Sequence, residues 1–305
     1  MKQLKAIYAD INKHGTAQHS RCGDVIALNG VSARFNLYRE GFPAVTSKKL
    51  NINGVIGELL FFLSGKQDLA TLRHYTFGEN AKKDSFTIWD ADAKRAGTPD
   101  TLNHMYPEHW RNFAGQVDQI QYIIDLLKKD PTSRKAILTN VNPTMRDKWT
   151  LDPCHLGATF SIDIINDVKW LDCSFYCRSQ DSFLGTPYNI ASYAALTHII
   201  AKLIGAKPRN LIYFSHNSHI YTEHFEAVNE YMSNPMHRLP RLKMPPFKDL
   251  DDLLQNYTSL DFSLVGYFHE GYIKSPVLVG DEELDKKSIE DYKQWLAKRE
   301  GSNNE

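Results

Sequence analysis

The sequence predicts an α+β fold, and three observations carry that expectation. Helical and strand patterns follow one another irregularly rather than in a repeating strand–helix order. The longest strand pair, 156–164 with 168–177, alternates around Asn166-Asp167 and reads as an antiparallel hairpin. No Gly/Ser/Pro-rich linker divides the 305 residues, which favours one compact unit.

Each element has its own local reason. Residues 2–14 form a charged amphipathic helix without the apolar centre of a signal peptide. Residues 24–37 alternate around Asn29-Gly30, the strongest short hairpin signal. Arg21, just before them, reads either as a solvated loop charge or as an anion ligand. Residues 51–63 read as a buried helix closed by Gly65. Glu58 lies inside that apolar run, so it is either a paired or functional carboxylate or the one polar stripe of the helix.

Residues 66–105 are mixed and polar, with Thr87-Ile88-Trp89-Asp90 as an apolar island, and 105–111 suit a cleft rim or an ordinary loop. Residues 117–129 are an amphipathic helix stopped at Asp130-Pro131. Arg134 and Lys135 precede a strand at 136–139 and are either solvated or able to reach across a subunit boundary. Residues 189–204 read as a helix capped by Gly205, 210–214 as a strand and 219–232 as another helix. The segment 235–246 is irregular, 262–267 a late strand, and 281–299 a charged terminal helix anchored by Trp295. There is no internal repeat.

The 36 basic and 36 acidic side chains cancel, which argues against a general nucleic-acid binder and for no stable nucleic-acid partner. No apolar run reaches the ~18 residues of a membrane span. Cys22, Cys154, Cys173 and Cys177 lack zinc-knuckle spacing, so no metal is expected. Cys173 and Cys177 fall on one strand face rather than forming a bonded pair, and a reduced, cytoplasmic location fits best.

Two stretches carry the chemistry. Leu151-Asp152-Pro153-Cys154-His155 sets a thiol beside an imidazole. That pair is either the nucleophile of a covalent catalyst or a small core hydrophobe with its neighbour. The second stretch runs from Arg178 to Tyr193 and reads Arg-Ser-Gln-Asp-Ser-Phe-Leu-Gly-Thr-Pro-Tyr-Asn-Ile-Ala-Ser-Tyr.

Together these stretches resemble the thymidylate synthase family, whose signature is Pro-Cys-His followed by Arg-Ser-x-Asp-x-Phe-Leu-Gly-x-Pro-Phe/Tyr-Asn-Ile-x-Ser-Tyr. The likeness extends in family order through Arg34-Phe35-Asn36-Leu37, Gly41-Phe42-Pro43, 58–63, 87–90, Trp110-Arg111 and His219-Ile220-Tyr221. It implies a catalytic domain over 1–280, with 281–305 as a helical extension past the family's usual end. It also implies a three-layer α/β sandwich whose kinked mixed sheet backs a homodimer interface.

The chemistry the resemblance implies joins a one-carbon unit from 5,10-methylenetetrahydrofolate, the co-substrate, to C5 of a deoxypyrimidine monophosphate. C5 of uracil is a poor nucleophile until a thiolate adds at C6 and makes C5 enolate-like. The resemblance makes Cys154 that nucleophile, with nearby arginines favouring its thiolate. Glu58 would manage protons near O4, Tyr106 would assist loss of the C5 proton, and His155 belongs to the same catalytic group. Arg21, Arg178 and Ser179 would hold the phosphate, with Arg134 and Lys135 supplied by a partner subunit. His219 and Tyr221 would meet the ribose hydroxyl. Asn189 would read the pyrimidine edge, because an amide offers both a donor and an acceptor. Aspartate occupies that place in the cytidylate-acting relatives, so Asn189 favours dUMP over dCMP. Asp181, Trp89, Ile88 and Gly185 fall on the folate side.

The shared intermediate carries a methylene at C5. Reduction by the folate gives dTMP; addition of water gives 5-hydroxymethyl-dUMP. Exclusion of water decides between them. Asp92 stands where the family has a second tryptophan, Pro107 follows the catalytic tyrosine, and the apolar tail 276–279 runs on into Gly280, so the family's terminal-carboxylate latch cannot form in its usual way. Trp89 argues for shielding. The departures favour a dUMP hydroxymethylase over a thymidylate synthase, with a bacteriophage source and a host-cytoplasmic location expected. A cysteine hydrolase is disfavoured because adjacent residues rarely form a nucleophile–base pair. A non-catalytic nucleotide-binding relative is disfavoured by the intact Cys154, Glu58, Tyr106 and Asn189.

Overall fold

The computed structural model describes residues 1–302, so the end of the expected extension, 303–305, lies outside the described residues. The chain opens with helix α1 (Lys2–His14) and strands β1 (Thr16–Ser20) and β2 (Gly23–Asn36). Helices α2 (Ile52–Ser64), α3 (Leu69–Phe77), α4 (Trp89–Arg95), α5 (Tyr106–Arg111) and α6 (Gln119–Lys129) follow. Next come β3 (Ile137–Thr139), the hairpin β4 (His155–Ile165) and β5 (Val168–Asp181), helix α7 (Gly185–Leu203) and strand β6 (Lys207–Tyr221). Helix α8 (Phe225–Ser233), β7 (Arg241–Lys243), α9 (Leu250–Asn256), β8 (Ser263–Val265) and α10 (Glu282–Ser302) complete the described chain.

Six strands make one mixed sheet in the order β1-β2-β6-β5-β4-β3. Its one parallel pair is β5 with β6, joined by the crossover helix α7, and the other pairs are antiparallel. Side chains alternate across the sheet. Cys173, Phe175 and Cys177 of β5 and Leu211 and Tyr213 of β6 point into the core, where Phe175 stacks on Tyr193 of α7 at 4.2 Å. On the opposite face Tyr176 stacks on Phe214 at 5.3 Å, and both remain exposed.

The hairpin at Asn166-Asp167 forms as expected, with both residues at positive φ, the geometry of a tight two-residue turn. The one expected at Asn29-Gly30 does not. Strand β2 runs straight through, and its pairing to β6 passes from Asn29↔Asn217 to Val31↔Ser215. Gly30 uses its positive φ of 79° for a local irregularity, and the real turn is at Arg21-Cys22. The helix expected over 219–232 also fails at its start. His219 and Tyr221 end strand β6, and α8 begins at Phe225, because pairing to both β2 and β5 outweighs local helical character. In α10 the buried anchor is Tyr292, with Trp295 stacked beside it at 5.9 Å rather than serving as the main contact.

Candidate active site

Cys154 sits at the entry to β4, pinned from two sides. The Arg178 amide donates to its carbonyl at 2.8 Å, and the Tyr106 hydroxyl accepts from the amides of Cys154 (2.8 Å) and His155 (3.1 Å). Two accepted bonds leave the Tyr106 O–H free to point its proton elsewhere. The Arg178 guanidinium is tied to the carbonyls of Pro153 (2.9 Å) and Asp152 (2.8 Å), which leaves Nη2 4.0 Å from Sγ. Gly157 permits this entry, since a Cβ there would lie 2.1 Å from the Leu138 carbonyl oxygen.

Arg178 and Arg21 both favour the Cys154 thiolate, but burial works against them more strongly. Burial pushes the Cys154 thiol up; Arg178 and Arg21 pull it down, while Asp92 and Asp152 oppose them. His155 is buried against the rings of Tyr106 (5.1 Å) and Tyr193 (5.4 Å), and burial pulls its pKa down to about 4. It is therefore neutral at working pH and cannot form an ion pair with Cys154. Glu58 on α2 accepts from the Trp89 indole N–H at 3.1 Å, and burial raises its carboxyl to about 7. That poise suits a group that both takes and gives a proton. Asn189, in the first turns of α7, donates from Nδ2 to Gln180 Oε1 at 2.9 Å.

The sheet collects the anion- and sugar-facing candidates at one end. Register places Ser179 opposite Asn217, Asp181 opposite His219, and His219 and Tyr221 opposite Ala27 and Val25. Arg21 lies in the β1–β2 turn beside these strand ends, and the His219 ring meets Tyr221 edge-on at 5.2 Å. Arg134 and Lys135 are not in this group. They are exposed just before β3, at the far edge of the sheet, and five strand spacings of ~4.8 Å put that edge roughly 24 Å from β1.

The remaining half is built from helix ends and the tail. Trp89 is buried between Phe62 and Tyr106, while Ile88 is exposed. Asp92 pairs with Arg95, whose Nη1 donates to the Val279 carbonyl at 2.6 Å. The tail is held further by His224 donating to the Pro276 carbonyl (2.9 Å), and by the Val277 amide on Ser288 Oγ (2.8 Å). The amides of Val279 (2.7 Å) and Gly280 (2.9 Å) both donate to the Asp285 carboxylate. Leu278 packs on the Val25–Ala27–Tyr221 cluster. Gly280 laps over Arg21, where a Cβ would lie 2.6 Å from Nε.

Asp181 Oδ1 accepts from the amides of Phe183 (2.9 Å) and Leu184 (3.1 Å), and Gly185 lies under the Gln180 side chain. Sequence reasoning missed Lys48, Gln180, Arg95 and Asp285. Lys48 is buried, donates to the Phe183 carbonyl at 2.8 Å, and has its pKa drawn down to about 7 by burial. A Thr-Ser-Lys-Lys run carries no sign of that burial; the apolar stretch following it was the available hint.

A recessed cysteine, a carboxyl raised toward neutrality, a paired Asn189–Gln180 amide and two arginines thus gather at one end of the sheet. A family profile described as "Thymidylate synthase" matches residues 2–279. A probable thymidylate synthase of Escherichia phage T5 is 43% identical over 274 residues, covering 88% of this chain and 96% of that protein. The crystal structure of thymidylate synthase from T4 phage superposes with a TM-score of 0.83 at 34% identity, covering 92% of this chain and all of that one. The chain belongs to the thymidylate synthase family and has its α/β sandwich fold. It is a one-carbon transferase acting on a pyrimidine nucleotide with a folate-derived donor. No described helix is long and apolar enough to cross a membrane. Among the described residues no group of three or more His, Cys, Asp or Glu side chains could hold a metal ion.

Proposed function

We propose that this protein is a thymidylate synthase, converting dUMP to dTMP, rather than the hydroxymethylase that its departures from the family first suggest. The observation that carries the reading is the tail. Although the chain continues past Val279, residues 276–280 lie against Arg95 and Arg21 and are clasped by Asp285 and Ser288. The extension thus supports closure over the folate half where a free carboxylate is absent. Asp92, which reads from sequence as a gap in apolar cover, is engaged with Arg95. The identity to the T5 protein points the same way.

In this reading methylenetetrahydrofolate supplies the carbon unit and the reducing equivalents. Cys154 loses its proton to solvent and its thiolate adds to C6 of the pyrimidine, moving the C5=C6 electron pair into an enolate across C5, C4 and O4. Asn189 pairs with the N3–H and O4 edge, and Glu58, near neutrality in pKa, passes protons toward O4. Tyr106, whose oxygen is held by the Cys154 and His155 amides and whose O–H can donate to a water there, assists loss of the C5 proton to that water. Arg21, Arg178 and Ser179 hold the phosphate, and His219 and Tyr221 hold the sugar. Trp89, Asp181, Gly185 and the exposed Ile88 border the folate. Arg134 and Lys135, exposed at the edge of the sheet opposite the Arg21 turn, serve the neighbouring subunit of a homodimer that buries the Tyr176–Phe214 face. A bacteriophage source fits both relatives.

The test is product analysis with dUMP and methylenetetrahydrofolate. Mass spectrometry should find dTMP, with dihydrofolate absorbance rising in step. A hydroxymethyl nucleotide without dihydrofolate would return the assignment to the hydroxymethylase.

A further inference from the structure

A carboxamide is an ambiguous reader of pyrimidines. With Oδ1 toward N3 and Nδ2 toward position 4 it complements uracil, which offers N3–H and O4. Rotated by half a turn it complements cytosine, which offers a bare N3 and an amino group. An asparagine free to rotate therefore discriminates poorly between the two bases.

We infer that Gln180 removes this ambiguity and is the positioning residue that sets the preference for uracil over cytosine. Gln180 is buried at the end of β5, at the open position of the signature, and no role attaches to it there. Its Nε2 faces the Asp181 carbonyl at 3.4 Å, a group that can only accept, so its Oε1 must face the other way. That oxygen accepts from Asn189 Nδ2 at 2.9 Å. Turning the Asn189 amide over would set Oδ1 against Oε1, two buried acceptors with no proton between them. Gly185 leaves the space that the Gln180 amide fills, since a Cβ there would lie 2.5 Å from Nε2. The second Nδ2 proton and one lone pair of Oδ1 are left for a ligand beside the His155 contact, and they present the uracil-complementary pattern. The Asn189 side chain also bears on the neutral His155 ring, so the Gln180 contact fixes one side of an amide already enclosed on the other.

This inference rests on Asn189 as the base reader, and the experiment separates the two claims. Dissociation constants for dUMP and dCMP are measured by equilibrium titration on the full chain and on Gln180→Leu, Gln180→Ala, Gln180→Glu and Asn189→Ala. Gln180→Leu and Gln180→Ala should each shrink the dUMP-over-dCMP preference about tenfold, the scale of one buried hydrogen bond. Gln180→Glu keeps an acceptor oxygen and should retain most of it. A merely structural role would weaken both nucleotides alike and leave the ratio unchanged; that result overturns the inference. Should Asn189→Ala bind dUMP normally, the base-reader assignment itself falls. If it weakens dUMP while the Gln180 variants keep the ratio, only the pin falls. Where Gln180 variants fail to fold, the unmodified protein still decides. Its Asn189 side-chain amide protons should exchange slowly without nucleotide, and rapid exchange contradicts the pin.

Discussion

The two halves of the proposed site, one for the nucleotide and one for the folate, are built in different ways. The nucleotide half rests on neighbouring strands and the start of α7, and its candidate residues are fixed by sheet register, with Ser179, Asp181, His219 and Tyr221 on paired positions. The folate half rests on the ends of α4 and on a tail held by side-chain contacts from Arg95, Asp285 and Ser288. A register error in the first would displace every contact together, so it tolerates little change. The second can accept Asp92 and an added helix because each contact is local. The chain departs from the family pattern mainly where the scaffold permits it.

The largest effect is expected at Cys154, in the nucleotide half. Cys154→Ser should lower turnover by at least about a thousandfold, the scale of losing a covalent nucleophile, while dUMP affinity changes only a few-fold. Steady-state rates and nucleotide titration check it. Loss of binding in step with rate would mean that Cys154 is chiefly structural.

Glu58→Gln comes next, with an expected loss of about a hundredfold in kcat. It carries a stability signature as well. Because burial raises the Glu58 carboxyl to about 7, the folded state favours the protonated form. Its contribution is therefore fully present below the ordinary carboxyl range and fades as pH rises through 7. Urea unfolding should show the glutamine variant gaining on the unmodified protein between pH 5 and pH 9. Parallel curves would contradict the buried-carboxyl account.

The folate half should respond more mildly. Asp285→Ala removes two amide partners of the tail and should raise KM for methylenetetrahydrofolate about tenfold with dUMP affinity unchanged. The smallest effect is expected from Asp92→Asn, which removes one of the charges lifting the Cys154 thiol. Alkylation of Cys154 by iodoacetamide, slow at neutral pH and faster as pH rises past the usual thiol range, should speed up a few-fold at pH 8. An unchanged rate would show that Asp92 does not act on the thiol.

The same contrast governs what could be read in the sequence. Cys154, Asn189 and the Arg178–Tyr193 run stand in contiguous stretches, and the Asn166-Asp167 turn follows from local chemistry alone. Asn29-Gly30 misleads because a positive φ serves an irregularity inside a long strand as well as a turn. His219 reads as helical because its strand is stabilised by partners distant in sequence, Ala27 and Asp181. Gln180 and Asp285 meet their partners only when residues nine and six positions away fold back onto them. Lys48 escapes for the same reason, since its burial depends on Phe183.

The most direct test of the account follows the ratio of dihydrofolate to nucleotide product in the unmodified protein and in Asp285→Ala. Equimolar dihydrofolate and dTMP in the unmodified protein, with a falling ratio and some hydroxymethyl product once the clasp is removed, is the result expected of a tail that closes the folate half. A hydroxymethyl product without dihydrofolate in the unmodified protein would contradict it.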